Sequence, residues 1–255
     1  MNHLQRFANW VLTTPSLFET NRPLVDLKHI SLGRENLEIA YKGNPRLGFI
    51  YQHLCSLILS NSEQYVLELE EIQINTDSGQ TIGAIDFILK NHLTQTFEHW
   101  EVAIKFYLLH QETWFGPNAH DQLDKKLHHM LNHQLKMTSN SLFQQAFPDY
   151  RHINENLLMQ GRLYINPFSD DPVPQECIGY TLNQEQISGY WCYQHQWDLI
   201  NKPLYELKKS LWAIGLDEFS HPITKPTERF VHAQTKDGDF WFIVANDWPH
   251  NNQKD

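Results

Sequence analysis

Residues 97–109 alternate strictly. Trp100, Val102, Ile104, Phe106 and Leu108 hold the even positions and are all apolar, while His99, Glu101, Ala103, Lys105 and Tyr107 hold the odd ones. A period of two sustained over this length is the repeat of a β-strand. The preceding stretch, 81–90, is nearly continuous apolar sequence, and 91–96 between them is polar and loop-like. The two runs therefore read as an antiparallel hairpin. Residues 65–75, rich in Val, Leu and Ile, lead into it through the turn signal Asp77-Ser78-Gly79, which makes three consecutive strands.

The loop is centred between Leu93 and Thr94, so a symmetric hairpin puts Asp86 opposite Glu101. Directly paired side chains share a face, with Cβ atoms about 4.5–5.5 Å apart. Two carboxylates that close repel, and Asp86 lies in a segment that otherwise reads as buried strand, where an unpaired carboxylate is costly. A divalent cation would compensate, because hard ions such as Mg²⁺ take one or two carboxylates and complete their shell with water and substrate oxygens. Lys105, on the same face of its strand as Glu101, is the other available compensator. Two acids and a lysine suit phosphodiester hydrolysis: the acids hold a metal that activates water, and the ammonium orients that water or stabilises developing charge. A structural ion network with no ligand fits the same residues.

Elsewhere the periodicity predicts a helix over 46–60, with Leu47, Ile50, Tyr51, Leu54, Leu57 and Ile58 at three- and four-residue steps. A second helix is expected over 118–137 after Gly116-Pro117, with Asn118 as N-cap and Leu123, Leu127, Met130, Leu131 and Leu135 as its stripe. A strand follows near 157–165. The Pro- and Asp-rich stretch 166–176 is the best boundary. It separates an α/β core with its lead-in, residues 1–170, from a C-terminal α+β extension, 171–255, packed on the core as one structural unit. Within the extension a helix is expected over about 203–215, and a final hairpin should pair 230–234 with 240–244 around Lys236-Asp237-Gly238.

The formal net charge of −10 argues against a general nucleic-acid-coating role, though not against an enzyme gripping a short stretch through a local patch. Three cysteines without a CxxC pair argue against a disulfide framework or zinc ribbon, and fit a reducing cytoplasm. No apolar run is long enough to span a bilayer, and residues 1–14 lack the apolar block of a signal peptide, so no membrane association is expected. His129 and His133 have metal-ligand spacing on a helix, but no HExxH accompanies them, and a solvated face explains them better. Glu68, Glu70 and Glu71 fall on both faces of their strand. Trp191 and Trp197 read as core or interface anchors rather than base-stacking platforms, and Cys55 as a small buried hydrophobe.

Three segments resemble the bacterial family catalogued as domain of unknown function 1853. They are Gly83-Ala84-Ile85-Asp86-Phe87; the run from His99 to Leu108 containing Glu101 and Lys105; and Gly116-Pro117-Asn118 with Asp121, Leu123, Asp124, Lys126, Leu127, His133, Gln134 and Leu135. Asp247-Trp248-Pro249 adds to the likeness. That family is regarded as a distant relative of the PD-(D/E)xK nucleases. The resemblance implies a restriction-endonuclease-like core of helix, three strands, helix and strand, with Asp86 as a metal-binding aspartate and Lys105 as the motif lysine. The usual acid-x-Lys motif would put its acid at Ala103; here the acid is Glu101, two residues earlier on the same face. Gln52 on the first helix stands where related sequences favour an acid, and Gln134 resembles a helix glutamine near some nuclease sites. The expected activity is a Mg²⁺- or Mn²⁺-dependent nuclease acting on DNA or RNA. Asp86, Glu101, Lys105 and Gln134 are its expected catalytic residues, and Asp86, Glu101 and Gln52 its metal ligands. The alternative is an inactive nuclease fold that binds nucleic acid or a protein partner.

Overall fold

The computed structural model describes residues 3–33 and 39–250. In chain order its principal elements are α1 (His3–Thr13), α2 (Leu47–Ser60), β1 (Tyr65–Asn75), β2 (Thr81–Asn91), β3 (Thr96–His110), β4 (Thr113–Phe115), α3 (Leu123–His129), α4 (Ser141–Ala146) and β5 (Ile153–Ile165). They continue with β6 (Glu176–Cys177), β7 (Tyr180–Thr181), β8 (Ile187–Tyr193), β9 (Tyr205–Glu206), β10 (Phe230–Gln234) and β11 (Phe240–Val244). The chain divides into two compact units, each discontinuous in sequence: residues 1–104 with 127–160, and 105–126 with 161–255. Among the described residues, no helix is long and apolar enough to cross a membrane.

The first unit is built on the antiparallel strands β1 and β2 and the first part of β3. β2 and β3 pair from Asn91↔Thr96 to Phe87↔Trp100, the register that the loop's symmetry predicts. β1 and β2 pair with register shifts between Leu67 and Leu69 and between Ile74 and Asn75. Glu68, Glu70 and Glu71 are all exposed on β1, and Glu71 has a positive φ of 50°. The charged edge strand is thus irregular, which discourages edge-to-edge pairing. The buried stripe of α2 includes Ile50, Tyr51, Leu54, Cys55 and Ile58, and Tyr51 meets Phe7 of α1 with ring centroids 6.4 Å apart. Ile74, Ile85 and Ile88 form a second cluster with Met137 and Phe143. At Gly83 a Cβ would sit 2.3 Å from the Met137 sulfur, so a larger residue there would make the Met137 side chain shift.

The helix expected over 118–137 is shorter and compound. Asn118 caps no helix: its Oδ1 accepts the His120 N–H in a local turn, and α3 begins only at Leu123. After His129 the chain widens into a π-helical turn, Met130–Gln134, in which Leu135 N–H reaches back five residues to the Met130 carbonyl at 2.9 Å. A 3₁₀ turn, Met137–Ser139, follows. The apolar stripe nonetheless holds, with Leu123, Leu127, Met130, Leu131 and Leu135 all buried.

In the second unit the sheet is mixed. β8 pairs in parallel with β5 and with β11, while β11–β10 and β10–β9 are antiparallel. The final hairpin lies where its pattern predicts. The helix expected over 203–215 is a correction: Tyr205 and Glu206 form β9 against β10, and only a 3₁₀ turn, Lys209–Leu211, is helical. Two residues of sheet edge captured the segment. Trp191 is buried and donates from Nε1 to the Leu109 carbonyl at 2.9 Å, a core anchor as expected. The architecture is therefore mixed α/β.

Candidate functional site

Asp86 and Glu101 occupy the first step beyond the last paired residues of β2 and β3, Phe87 and Trp100. There, side chains take over hydrogen bonding to the main chain. The Asp86 backbone N–H donates to Glu101 Oε1 at 3.3 Å, and the Val102 backbone N–H donates to Asp86 Oδ2 at 2.9 Å. The cross-strand neighbourhood expected of these two acids is present, and each carboxylate is held by the opposite strand's backbone.

Glu101 is wholly buried, at 0% exposure. Besides the Asp86 amide it accepts His99 Nε2 at 2.9 Å on Oε1 and Gln134 Nε2 at 3.0 Å on Oε2. His99 is also fully buried, and burial pulls its pKa down to about 4 despite the nearby Asp86 carboxylate. Its contact with Glu101 is thus a hydrogen bond from a neutral imidazole rather than an ion pair, with the proton assigned to Nε2 because a carboxylate accepts. The alternation puts residues 99 and 101 on one strand face, so the pattern already held this signal. Gln134 arrives from the last residue of the π-helical turn, a departure from α geometry that recurs at functional sites.

From α2, Tyr51 and Cys55 lie one turn apart in the electrostatic reach of Asp86. Both are buried, and burial, aided by Asp86, raises the phenol and the thiol well above their usual ranges. The Tyr51 hydroxyl donates to Gln160 Oε1 at 2.8 Å. Gln52, half-buried beside them, makes no hydrogen bond to Asp86 or Glu101 among the described residues. β3 carries one more buried acid, Glu98, which accepts Asn91 Nδ2, Trp100 Nε1 and Asn156 Nδ2. Three neutral donors make it a structural carboxylate.

Lys105 belongs to the second unit. Its Nζ forms an ion pair with Asp121 Oδ2 at 2.5 Å, both side chains being partly exposed. The sequence did not reveal Asp121 as the partner of Lys105, because that pairing is set by how the loop 116–122 folds back.

Among the described residues, no group of three or more His, Cys, Asp and Glu side chains is arranged to hold a metal ion. His129 and His133 stack on each other, centroids 4.8 Å apart, on an exposed helical face. A cation at Asp86 and Glu101 would rest on two carboxylates alone. This all-oxygen donor set fits Mg²⁺ or Mn²⁺, which fill the remaining positions with water and substrate oxygens.

A family model described as a domain of unknown function, DUF1853, matches residues 8–216. No curated protein and no solved structure matches the chain.

Proposed function

We propose that the chain, which belongs to the DUF1853 family, has a restriction-endonuclease-like core and hydrolyses phosphodiesters of DNA or RNA with Mg²⁺ or Mn²⁺. The observation that carries this reading is the pair of carboxylates on neighbouring strands, Asp86 and Glu101, each accepting a backbone N–H of the other strand, with Gln134 donating to Glu101. The chain order of helix, three strands, helix and strand, with β4 and α4 interpolated, agrees with it. A bound divalent ion supplies a lowered water pKa and polarises a phosphate oxygen. Asp86, only half-buried, would be the exposed ligand. Glu101 would be the inner one, aligned by His99 and Gln134. Lys105 would supply an ammonium to the phosphate or its water, and Gln52 a further carbonyl ligand.

A second reading, a nuclease-like fold without catalysis that binds nucleic acid or a protein partner, has its own observations. Glu101 is completely buried with three N–H donors, Lys105 is committed to Asp121, and the net charge is −10.

Calorimetric titration of Mn²⁺ into the wild type and Asp86→Ala, followed by nuclease assays on single- and double-stranded DNA and RNA, separates the two readings. The proposed activity requires Mn²⁺ binding that Asp86→Ala abolishes, and cleavage that Lys105→Ala abolishes in a folded protein. Metal-independent binding of nucleic acid without cleavage, unchanged in both variants, would establish the second reading.

A further inference from the structure

Lys105 stands on β3, and Asp121 stands at the neck of a loop that β4 carries back to the same strand. β4 pairs with β3 from His110↔Thr113 to Leu108↔Phe115. Directly after β4 the chain leaves through residues 116–121 and returns. Phe115 and Gln122 form an antiparallel bridge, and the Gly116 N–H donates to the Asp121 carbonyl at 2.7 Å. The loop is also closed within itself: the Ala119 N–H donates to the Gly116 carbonyl at 2.8 Å, and the His120 N–H to Asn118 Oδ1 at 3.2 Å. Its neck is tight, since a Cβ on Gly116 would come within 3.2 Å of the Asp121 Cβ. Backbone hydrogen bonds thus tie Asp121, through β4, to the strand that bears Lys105.

The carboxylate so placed meets the ammonium. Lys105 Nζ donates to Asp121 Oδ2 at 2.5 Å, and among the described residues Asp121 is its sole hydrogen-bonding or ionic partner. An ammonium carries three N–H donors, so two remain for other acceptors. The lysine side chain is 26% exposed and the aspartate 34%, open enough for such an acceptor to reach them. A pair this exposed adds little to stability. Its larger effect is to restrict a flexible four-carbon stem that otherwise samples many rotamers. Burial, with the Asp121 carboxylate adding to it, raises the Tyr107 phenol above its usual range, so Tyr107 stays neutral and offers Lys105 no competing anion.

We infer that Asp121 is a positioning residue for Lys105, holding the ammonium in one place with two N–H groups left for a phosphate oxygen or the attacking water. This role rests on the part proposed for Lys105 in phosphodiester hydrolysis and adds Asp121 to that site. Asp121 itself need not touch the substrate. It removes the freedom of the lysine before the substrate arrives, and in a preorganised site a displacement of ~1 Å can cost about a hundredfold in rate.

Full-length wild type, Asp121→Ala, Asp121→Asn and Lys105→Ala are compared with Mn²⁺ on single- and double-stranded DNA and RNA. Asp121→Ala is expected to lower kcat roughly tenfold to a hundredfold. KM should stay within about twofold of wild type, the pattern of an interaction realised in the transition state. Asp121→Asn, which keeps a neutral acceptor and guards against a folding defect in the alanine variant, should fall between. Mn²⁺ affinity by calorimetry should be unchanged in both. A second readout needs no cleavage: the ¹³C order parameter of Lys105 Cε, assigned by its absence from Lys105→Ala, should fall in Asp121→Ala. Wild-type rates in both Asp121 variants, with Lys105→Ala inactive, would overturn the role of Asp121 and leave the nuclease reading standing. An unchanged Lys105 order parameter would do the same. Failure of the wild type to cleave any of these substrates would remove the nuclease reading and this role with it.

Discussion

Asp86 and Glu101 are linked by a hydrogen bond in which the backbone N–H of Asp86 donates to the Glu101 carboxylate at 3.3 Å, while Asp86 itself accepts the amide of Val102, the residue after Glu101. Two like-charged side chains on neighbouring strands are thereby each neutralised by main-chain dipoles of the other strand. This reciprocity decides what substitutions should do.

Asp86→Asn keeps an acceptor for the Val102 amide and removes one charge. It is expected to alter unfolding free energy by less than ~1 kcal/mol, while Asp86→Ala strands the Val102 N–H and costs ~1–3 kcal/mol. Urea denaturation of both variants checks this. A larger loss in Asn than in Ala would contradict the role given to the amide bond.

Gln134→Glu replaces an amide donor to the buried Glu101 with a second carboxylate at a half-buried position. The expected loss at pH 7 is ~3–5 kcal/mol, the scale of breaking a buried charged pair. One carboxyl of such a pair titrates high. The loss should therefore shrink as pH falls towards 5, and parallel denaturation curves at the two pH values would reveal it. Gln134→Ala should cost less at pH 7 and show no such recovery.

His99 contributes a pH dependence with a definite sign. Its folded pKa, about 4, lies below the ordinary 6.5, so the unfolded chain binds the extra proton first. Stability from this group is complete above about pH 6.5 and falls as pH drops towards 4, by on the order of 3 kcal/mol. His99→Gln retains an N–H donor for Glu101 and should flatten that part of the stability profile. A wild-type profile with no slope in this window counts against a neutral buried His99.

Gly83→Ala drives a methyl group to 2.3 Å from the Met137 sulfur. Overpacking of this sort costs ~1–3 kcal/mol. Met137→Ala in the same chain vacates the space, so the double variant should recover part of the Gly83→Ala loss. A thermodynamic cycle measures the coupling, and strict additivity would show that the two side chains do not share the space.

Lys105→Ala removes an ion pair between partly exposed groups, worth about 0–1 kcal/mol. Its melting temperature is expected to stay within a few degrees of wild type, so any loss of activity reports on chemistry rather than on folding. Differential scanning fluorimetry beside the nuclease assay supplies both readings.

What the linear sequence determined was local and periodic. Strict alternation set the strand character of β3, and a polar loop of definite centre set the register that brings Asp86 to Glu101. Helical spacing set α2, and the Lys236-Asp237-Gly238 turn set the last hairpin. These follow from backbone geometry, which each short segment expresses alone. Tertiary structure decided the partners. It chose His99 and Gln134 as donors on Glu101, Asp121 as the ion-pair partner of Lys105, and a sheet edge rather than a helix for Tyr205 and Glu206. It also delayed the helix start from Asn118 to Leu123 and widened its end into a π-turn. Those outcomes depend on which distant segments return to the same place. A buried carboxylate takes whatever donors the packing delivers, and no periodicity within its own strand encodes them.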